Sequence, residues 1–121
     1  MENKFGKECV FLVASDSLNE AMDMFNSTGL TAKYNVIRLH GDAGTDLATL
    51  SMTQHVIMSG GTYGFWAAWL AGGTTIYYSN FARNGTRFHE HFCPSCFYPP
   101  EWVALNESDF RFSEQLSRLD I

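Results

Sequence analysis

His55-Val56-Ile57-Met58-Ser59-Gly60-Gly61-Thr62-Tyr63-Gly64-Phe65-Trp66-Ala67-Ala68-Trp69-Leu70 is the stretch on which the reading of this chain turns. Residues 55–58 read as a strand, 59–62 as a tight loop and 63–70 as a helix that stops at Gly72-Gly73. Within the helix Gly64, Ala67, Ala68 and Ala71 keep one side thin. That side can lie close to a sheet while Phe65, Trp66 and Trp69 fill the flanks. A loop feeding a helix N-terminus points unpaired N–H groups outward, and open parallel sheets bind ligands beyond the carboxyl ends of their strands. Gly60 and Gly61 carry no Cβ, so backbone there can approach a phosphate oxygen. Thr62 can cap the helix or give its hydroxyl to the phosphate. The same turn also suits a strand–helix junction that binds nothing, and these residues alone leave both readings open.

Outward from this unit the pattern repeats. Residues 9–14, Cys-Val-Phe-Leu-Val-Ala, form a continuous apolar run, read as a strand buried on both faces. Ser15-Asp16-Ser17 can cap a helix over about 18–25, where Leu18, Ala21, Met22 and Phe25 recur at 3–4 spacing, with Gly29 beyond its end. Val36, Ile37 and Leu39 suggest a second strand, residues 40–45 a polar turn, and Leu47, Leu50 and Ser51 one face of a short helix whose first turn holds Asp46. Residues 74–78 make a fourth strand. Strands alternating with helices give an α/β fold with a parallel sheet of about four strands and flanking helices. Residues 9–79 form the expected core, after a disordered or cut N-terminal edge at 1–8. Residues 80–121, with Gly85, Pro94, Pro99 and Pro100, form an irregular extension packing on the same domain, including a short amphipathic piece over 101–105. Asp46 either favours the helix dipole or accepts paired N–H donors from a guanine edge, or a ribose hydroxyl. Its loop and the glycine loop, on one sheet edge, would form one cleft.

At 121 residues the chain has room for a single domain, and 45% hydrophobic content with 10 Phe, 5 Tyr and 3 Trp is that of a packed piece. Eight Lys and Arg against thirteen Asp and Glu give a net charge of -5 without a basic stripe. This argues against a nucleic-acid partner. Residues 1–8 form no apolar signal segment, and no run reaches the length of a membrane span.

His89-x-His91-x-Cys93-x-x-Cys96 offers four zinc ligands, with the histidines packed too tightly before the cysteines to resemble a finger. No metal site is assigned. A disulfide between Cys93 and Cys96, or pairing with a segment from elsewhere, is the competing reading in an oxidising compartment. Asn26, Asn84 and Asn106 each open an Asn-x-Ser/Thr sequon and are glycosylation candidates.

Taken together, Asp46-Leu47-Ala48-Thr49-Leu50, Gln54 to Met58, Gly61-Thr62-Tyr63-Gly64-Phe65-Trp66-Ala67-Ala68-Trp69-Leu70-Ala71-Gly72-Gly73, Ile76-Tyr77-Tyr78-Ser79-Asn80-Phe81 and Pro100-Glu101-Trp102-Val103 resemble the C-terminal part of animal galactoside alpha-1,2-fucosyltransferases, glycosyltransferase family 11. The resemblance covers roughly residues 9–105. It implies half of a Rossmann-like, GT-B type domain from a Golgi-lumenal membrane enzyme. Such an enzyme moves fucose, with inversion, from GDP-fucose to the 2-hydroxyl of a terminal galactose on a glycan acceptor, without an essential metal or other cofactor. Carried to this sequence, Asp46 is the nucleotide-contacting acid, and Gly61, Thr62, Tyr63 and Gly64 are the diphosphate-side loop and helix start. Where the family has a Cys before the third strand and Ile-Gly before the Thr, Thr53 and Gly60-Gly61 stand here. The family's His-x-Arg-Arg-Gly-Asp-Tyr stretch, whose arginine neutralises the departing diphosphate, does not occur in these 121 residues. No catalytic residue is assigned. The chain is expected to lack transferase activity without a partnering N-terminal half; the alternative is a non-catalytic nucleotide- or partner-binding α/β module.

Overall fold

A computed structural model describes residues 9–82 and 85–110. They form two compact units that divide between Asp46 and Leu47. In the first, β1 (Val10–Val13) and β2 (Asn35–Arg38) pair in parallel, with Phe11 opposite Val36 and Leu12 opposite Ile37. The Leu39 N–H donates to the Val13 carbonyl at 2.9 Å and extends the ladder. The crossover runs through α1 (Leu18–Ser27) and α2 (Leu30–Lys33). Leu18, Ala21, Met22 and Phe25 are half-buried while Asn19, Glu20, Asp23 and Met24 face water, so the 3–4 spacing does set the inner face of α1. The expected side-chain cap is absent: Ser17 makes no capping bond, and its N–H instead donates to Ser15 Oγ at 3.0 Å.

No residue of β1 or β2 is fully buried; Val10 is 54% and Ile37 44% exposed. This differs from the strand covered on both faces that the apolar run predicts. Two strands crossed by two short helices do not supply a layer for each face of the sheet.

The second unit carries a three-stranded parallel sheet in the order β3 (Val56–Met58), β4 (Thr75–Tyr78), β5 (Val103–Leu105). Helix α3 (Ala43–Ser51) leads into it across the division, and α4 (Gly61–Ala71) connects β3 to β4. The thin side of α4 faces inward: Ala67 and Ala68 are each 1% exposed, and a Cβ on Gly64 would come 3.1 Å from Met58 Cβ. Gly72 closes the helix with φ 75°, and a Cβ on Gly73 would stand 1.7 Å from the Gln54 carbonyl oxygen. His55 Nδ1 accepts the Thr74 N–H at 3.0 Å, so His55 fastens the start of β3 to that of β4. Met58, Ala68 and Tyr98 centre the core, with Phe65, Phe97 and Trp102 packed against them.

Between β4 and β5 lie α5 (Arg87–His91) and α6 (Pro94–Phe97). A disulfide joins Cys93 to Cys96 with an S–S distance of 2.05 Å. The α/β class and parallel pairing match the sequence reading, but the described residues form five strands, in sheets of two and three. The added strand, β5, comes from the stretch read as a short amphipathic piece. Among the described residues no helix is long and apolar enough to cross a membrane.

Candidate functional site

The carboxyl edge of the three-stranded sheet begins at Met58 and turns through Ser59, Gly60 and Gly61 into α4. Gly60 is extended, with φ 174° and ψ -178°, whereas Gly61 has φ 80°. The two glycines answer different constraints. A Cβ on Gly60 would lie 2.2 Å from Phe81 Cδ2, so that position is kept bare by the Phe81 ring and not by a ligand. At Gly61 nothing lies within 4 Å of the Cβ position, and the positive φ itself selects glycine. The open approach to the loop is therefore at Gly61.

Helix α4 begins at Gly61 with Gly60 before it, and no side chain caps it. Thr62 therefore sits inside the first turn, which removes the capping role open to it in the sequence. Its hydroxyl remains beside N–H groups that have no acceptor within the helix. Tyr63 is 41% exposed on the outer side, and Gly64 faces Met58. An eleven-residue helix concentrates partial positive charge at this end, which suits an anion.

Further along the same edge, the ends of β4 and β5 are tied by side chains. Tyr78 Oη donates to Glu107 Oε1, and Asn80 Nδ2 donates to Glu107 Oε2 at 2.9 Å. Both carboxylate oxygens are thus engaged by β4 and the residues after it. The Tyr78 bond, with smaller help from the Glu107 backbone N–H and from Asn80, holds the Glu107 carboxyl below the usual carboxylate range. Asn106 Nδ2 donates to Ser79 Oγ at 3.1 Å, and Asn106 Oδ1 accepts the Ser108 N–H at 2.9 Å. Tyr78, Asn80 and Glu107 were not among the candidates from sequence. Their contacts span 27 to 29 residues and follow no local motif.

Asp46, in the first unit, accepts the Gly41 N–H through Oδ1 at 3.1 Å. The helix cap beside it is Asp42, whose Oδ1 accepts the Thr45 N–H at 2.7 Å. The Thr45 bonds hold the Asp42 carboxyl below its ordinary value. The side-chain cap is thus Asp42, while Asp46 stands in the first turn, where a carboxylate favours the helix dipole, and braces the preceding turn. A Cβ on Gly41 would meet Asp46 Oδ1 at 2.8 Å, so Gly41 is bare to let that brace form.

Of the glycosylation candidates, Asn26 is exposed near the end of α1 and accepts from Thr31 Oγ1 at 2.6 Å. The Asn106 amide nitrogen, the atom that would carry a glycan, is bonded to Ser79 and half-buried. Asn84 lies outside the described residues. With Cys93 and Cys96 joined, the four-ligand zinc reading loses both thiolates. Among the described residues no group of three or more His, Cys, Asp or Glu is placed to hold a metal ion.

A parallel sheet whose strand ends meet a glycine turn and an uncapped helix start is an arrangement that can accommodate an anionic group at its carboxyl edge. The chain belongs to glycosyl transferase family 11, whose family model matches residues 3–106. It is 35% identical over 100 residues to galactoside alpha-(1,2)-fucosyltransferase 1 of Rattus norvegicus, covering 83% of this chain and 27% of that protein. The Bos taurus protein of the same name is also 35% identical over 100 residues, covering 83% and 28%. Galactoside alpha-(1,2)-fucosyltransferase 2 of Oryctolagus cuniculus is 33% identical over 96 residues, covering 79% and 27%. The chain thus spans about a quarter of the length of these relatives. No solved structure matches it.

Proposed function

We propose that this chain is the donor-binding part of a galactoside 2-alpha-L-fucosyltransferase, moving fucose from GDP-fucose to the 2-hydroxyl of a terminal galactose on glycans in the Golgi lumen. The observation that carries the reading is the uncapped start of α4 behind Gly61, at the carboxyl end of β3. The diphosphate takes the N–H groups of that first turn, with the Thr62 hydroxyl beside them. Asp46, whose Oδ1 accepts the Gly41 N–H, is taken from the family resemblance alone as a contact for the nucleotide. No metal is required for these contacts.

Transfer builds negative charge on the leaving GDP as the fucose becomes cation-like. Without a cation at that position the step loses on the order of a few kcal/mol, roughly 10²-fold or more. Arg38 is committed to Asn19 Oδ1 at 2.9 Å and Arg87 opens α5. The 121 residues alone therefore bind donor and do not turn it over, and activity requires the family's Arg-bearing N-terminal half. Calorimetric titration with GDP tests the donor reading. Binding that Asp46→Ala abolishes, with the fold intact, supports it; a folded chain that takes up no GDP removes it in favour of a non-catalytic module. Fucose transfer by the isolated chain would overturn the second claim.

A further inference from the structure

We propose that Phe81 is a positioning residue for the donor: its ring, seated where a side chain of residue 60 would begin, fixes where the first turn of α4 presents its N–H groups. The atoms nearest a Cβ built on Gly60 all belong to that ring, with Cδ2 at 2.2 Å, Cγ at 2.5 Å and Cε2 at 2.6 Å. Gly60 is extended, a conformation open to any residue, so its backbone does not itself call for glycine. The position is bare because the ring occupies it.

A helix start is usually pinned by a capping side chain that accepts one of its first N–H groups. Helix α4 has no such cap at Gly60. An apolar ring packed on the capping residue holds the same stretch of backbone without accepting any donor. The first turn is thereby fixed in place while its N–H groups stay open to an anion, so a ligand there meets donors that are already ordered. That the anion is the donor diphosphate rests on the function proposed above; the seating of the turn rests on the packing alone.

The ring is itself held from two directions. Strands β3 and β4 pair in parallel with Met58 opposite Tyr77, which brings Gly60 and Phe81 to the same carboxyl edge. Just ahead of Phe81, the Ser79 N–H donates to the Leu105 carbonyl at 2.9 Å and Asn80 Nδ2 donates to Glu107, so this backbone is tied to β5 and the residues after it. Behind the ring, Phe88 meets it edge-on at 5.8 Å and stacks on Phe92 at 5.1 Å, and Phe92 packs against the core. A run of aromatic rings thus reaches from the core to the glycine turn. Phe81 and Phe88 stay exposed along it, because they brace a loop and do not fill the interior.

The test measures GDP affinity by calorimetry and backbone order parameters at Gly61 and Thr62 by NMR, both on the full chain. Phe81→Ala should weaken GDP binding by about tenfold, the scale of one charge-assisted hydrogen bond, and lower both order parameters. Phe81→Tyr keeps the ring and should restore both. Phe81→Leu, which keeps Cγ and Cδ2 but lacks Cε2, serves if the alanine variant does not fold. Val103→Ala, on β5 and away from the turn, controls for lost stability: it should lower the denaturation midpoint and leave GDP affinity and the two order parameters unchanged. Unaltered affinity in Phe81→Ala, a loss of affinity with the turn still ordered, no recovery with tyrosine, or an equal loss in Val103→Ala would overturn the proposal. A chain that never binds GDP, yet whose turn loosens in Phe81→Ala, would remove the donor reading and leave Phe81 as the residue that sets the turn.

Discussion

Phe81 lies on Gly60 so closely that a Cβ at residue 60 would stand 2.2 Å from its Cδ2 and 2.5 Å from its Cγ. The ring is itself 42% exposed and meets Phe88 edge-on at 5.8 Å. Gly60→Ala must therefore push Phe81 off the loop and away from Phe88. We expect a loss of about 1–3 kcal/mol by denaturant titration. In a Phe81→Ala background the same change should cost far less, and a cycle showing no coupling between the two would contradict the contact.

The neighbouring glycines separate backbone strain from steric collision. Gly61→Ala meets no atom within 4 Å but must hold φ 80°, at a cost of about 1–2 kcal/mol. Gly73→Ala drives a Cβ to 1.7 Å from the Gln54 carbonyl, a collision with backbone that no rotamer relieves. Gly73→Ala should lower the thermal midpoint much more than Gly61→Ala, and the opposite order would show that the β3–α4–β4 junction is described wrongly.

Thr75 is 1% exposed, and its Oγ1 has no hydrogen-bond partner among the described residues. Thr75→Val keeps the branched shape a strand favours and removes the buried hydroxyl. A gain of about 1 kcal/mol is expected. A loss of stability on denaturant titration would mean that the hydroxyl has an acceptor.

Acid should weaken the fold through Asp42 and Glu107. Both carboxyls sit below their ordinary values in the folded chain, Asp42 through Thr45 and Glu107 through Tyr78. A depressed folded value means that the unfolded chain binds protons first as pH falls. The stabilisation is therefore complete above the ordinary carboxylate range and disappears as pH drops through the folded values. Asp42→Asn and Glu107→Gln should each flatten the acid limb of a stability–pH curve while leaving its neutral limb parallel. Both groups are exposed to solvent, so the effect should be small and sensitive to salt.

The disulfide gives a count that mass spectrometry can check. Alkylation of the unfolded chain without reductant should label Cys9 alone, and reductant should raise the number of labelled cysteines to three. Three labels without reductant would remove the bond.

Residues 55–73 were legible because periodicity, glycine stops and small helical residues all act within one turn of chain. The same locality explains α1, where four half-buried positions follow the 3–4 spacing. Val103-Ala104-Leu105 was harder: three residues just after Pro99-Pro100 become a strand only through pairing with β4. Asp46 does stand in the first turn of α3, as its position suggested, but the side-chain cap is Asp42, one turn earlier, which sequence spacing alone does not rank. The Glu107 lip was out of reach altogether, since its two donors, at the end of β4 and just beyond it, lie 27 to 29 residues away.

Helix α4 hides alanines on one side and leaves Trp66 and Trp69 about half in water on the other, while Trp102 sits half-buried against the core. Two of the three indoles are therefore solvent-wetted reporters that ignore the core. Emission from the folded chain should be long-wavelength and readily quenched by acrylamide, with a small protected component from Trp102. An optical measure of core packing must read that minor component against the bright background of the other two.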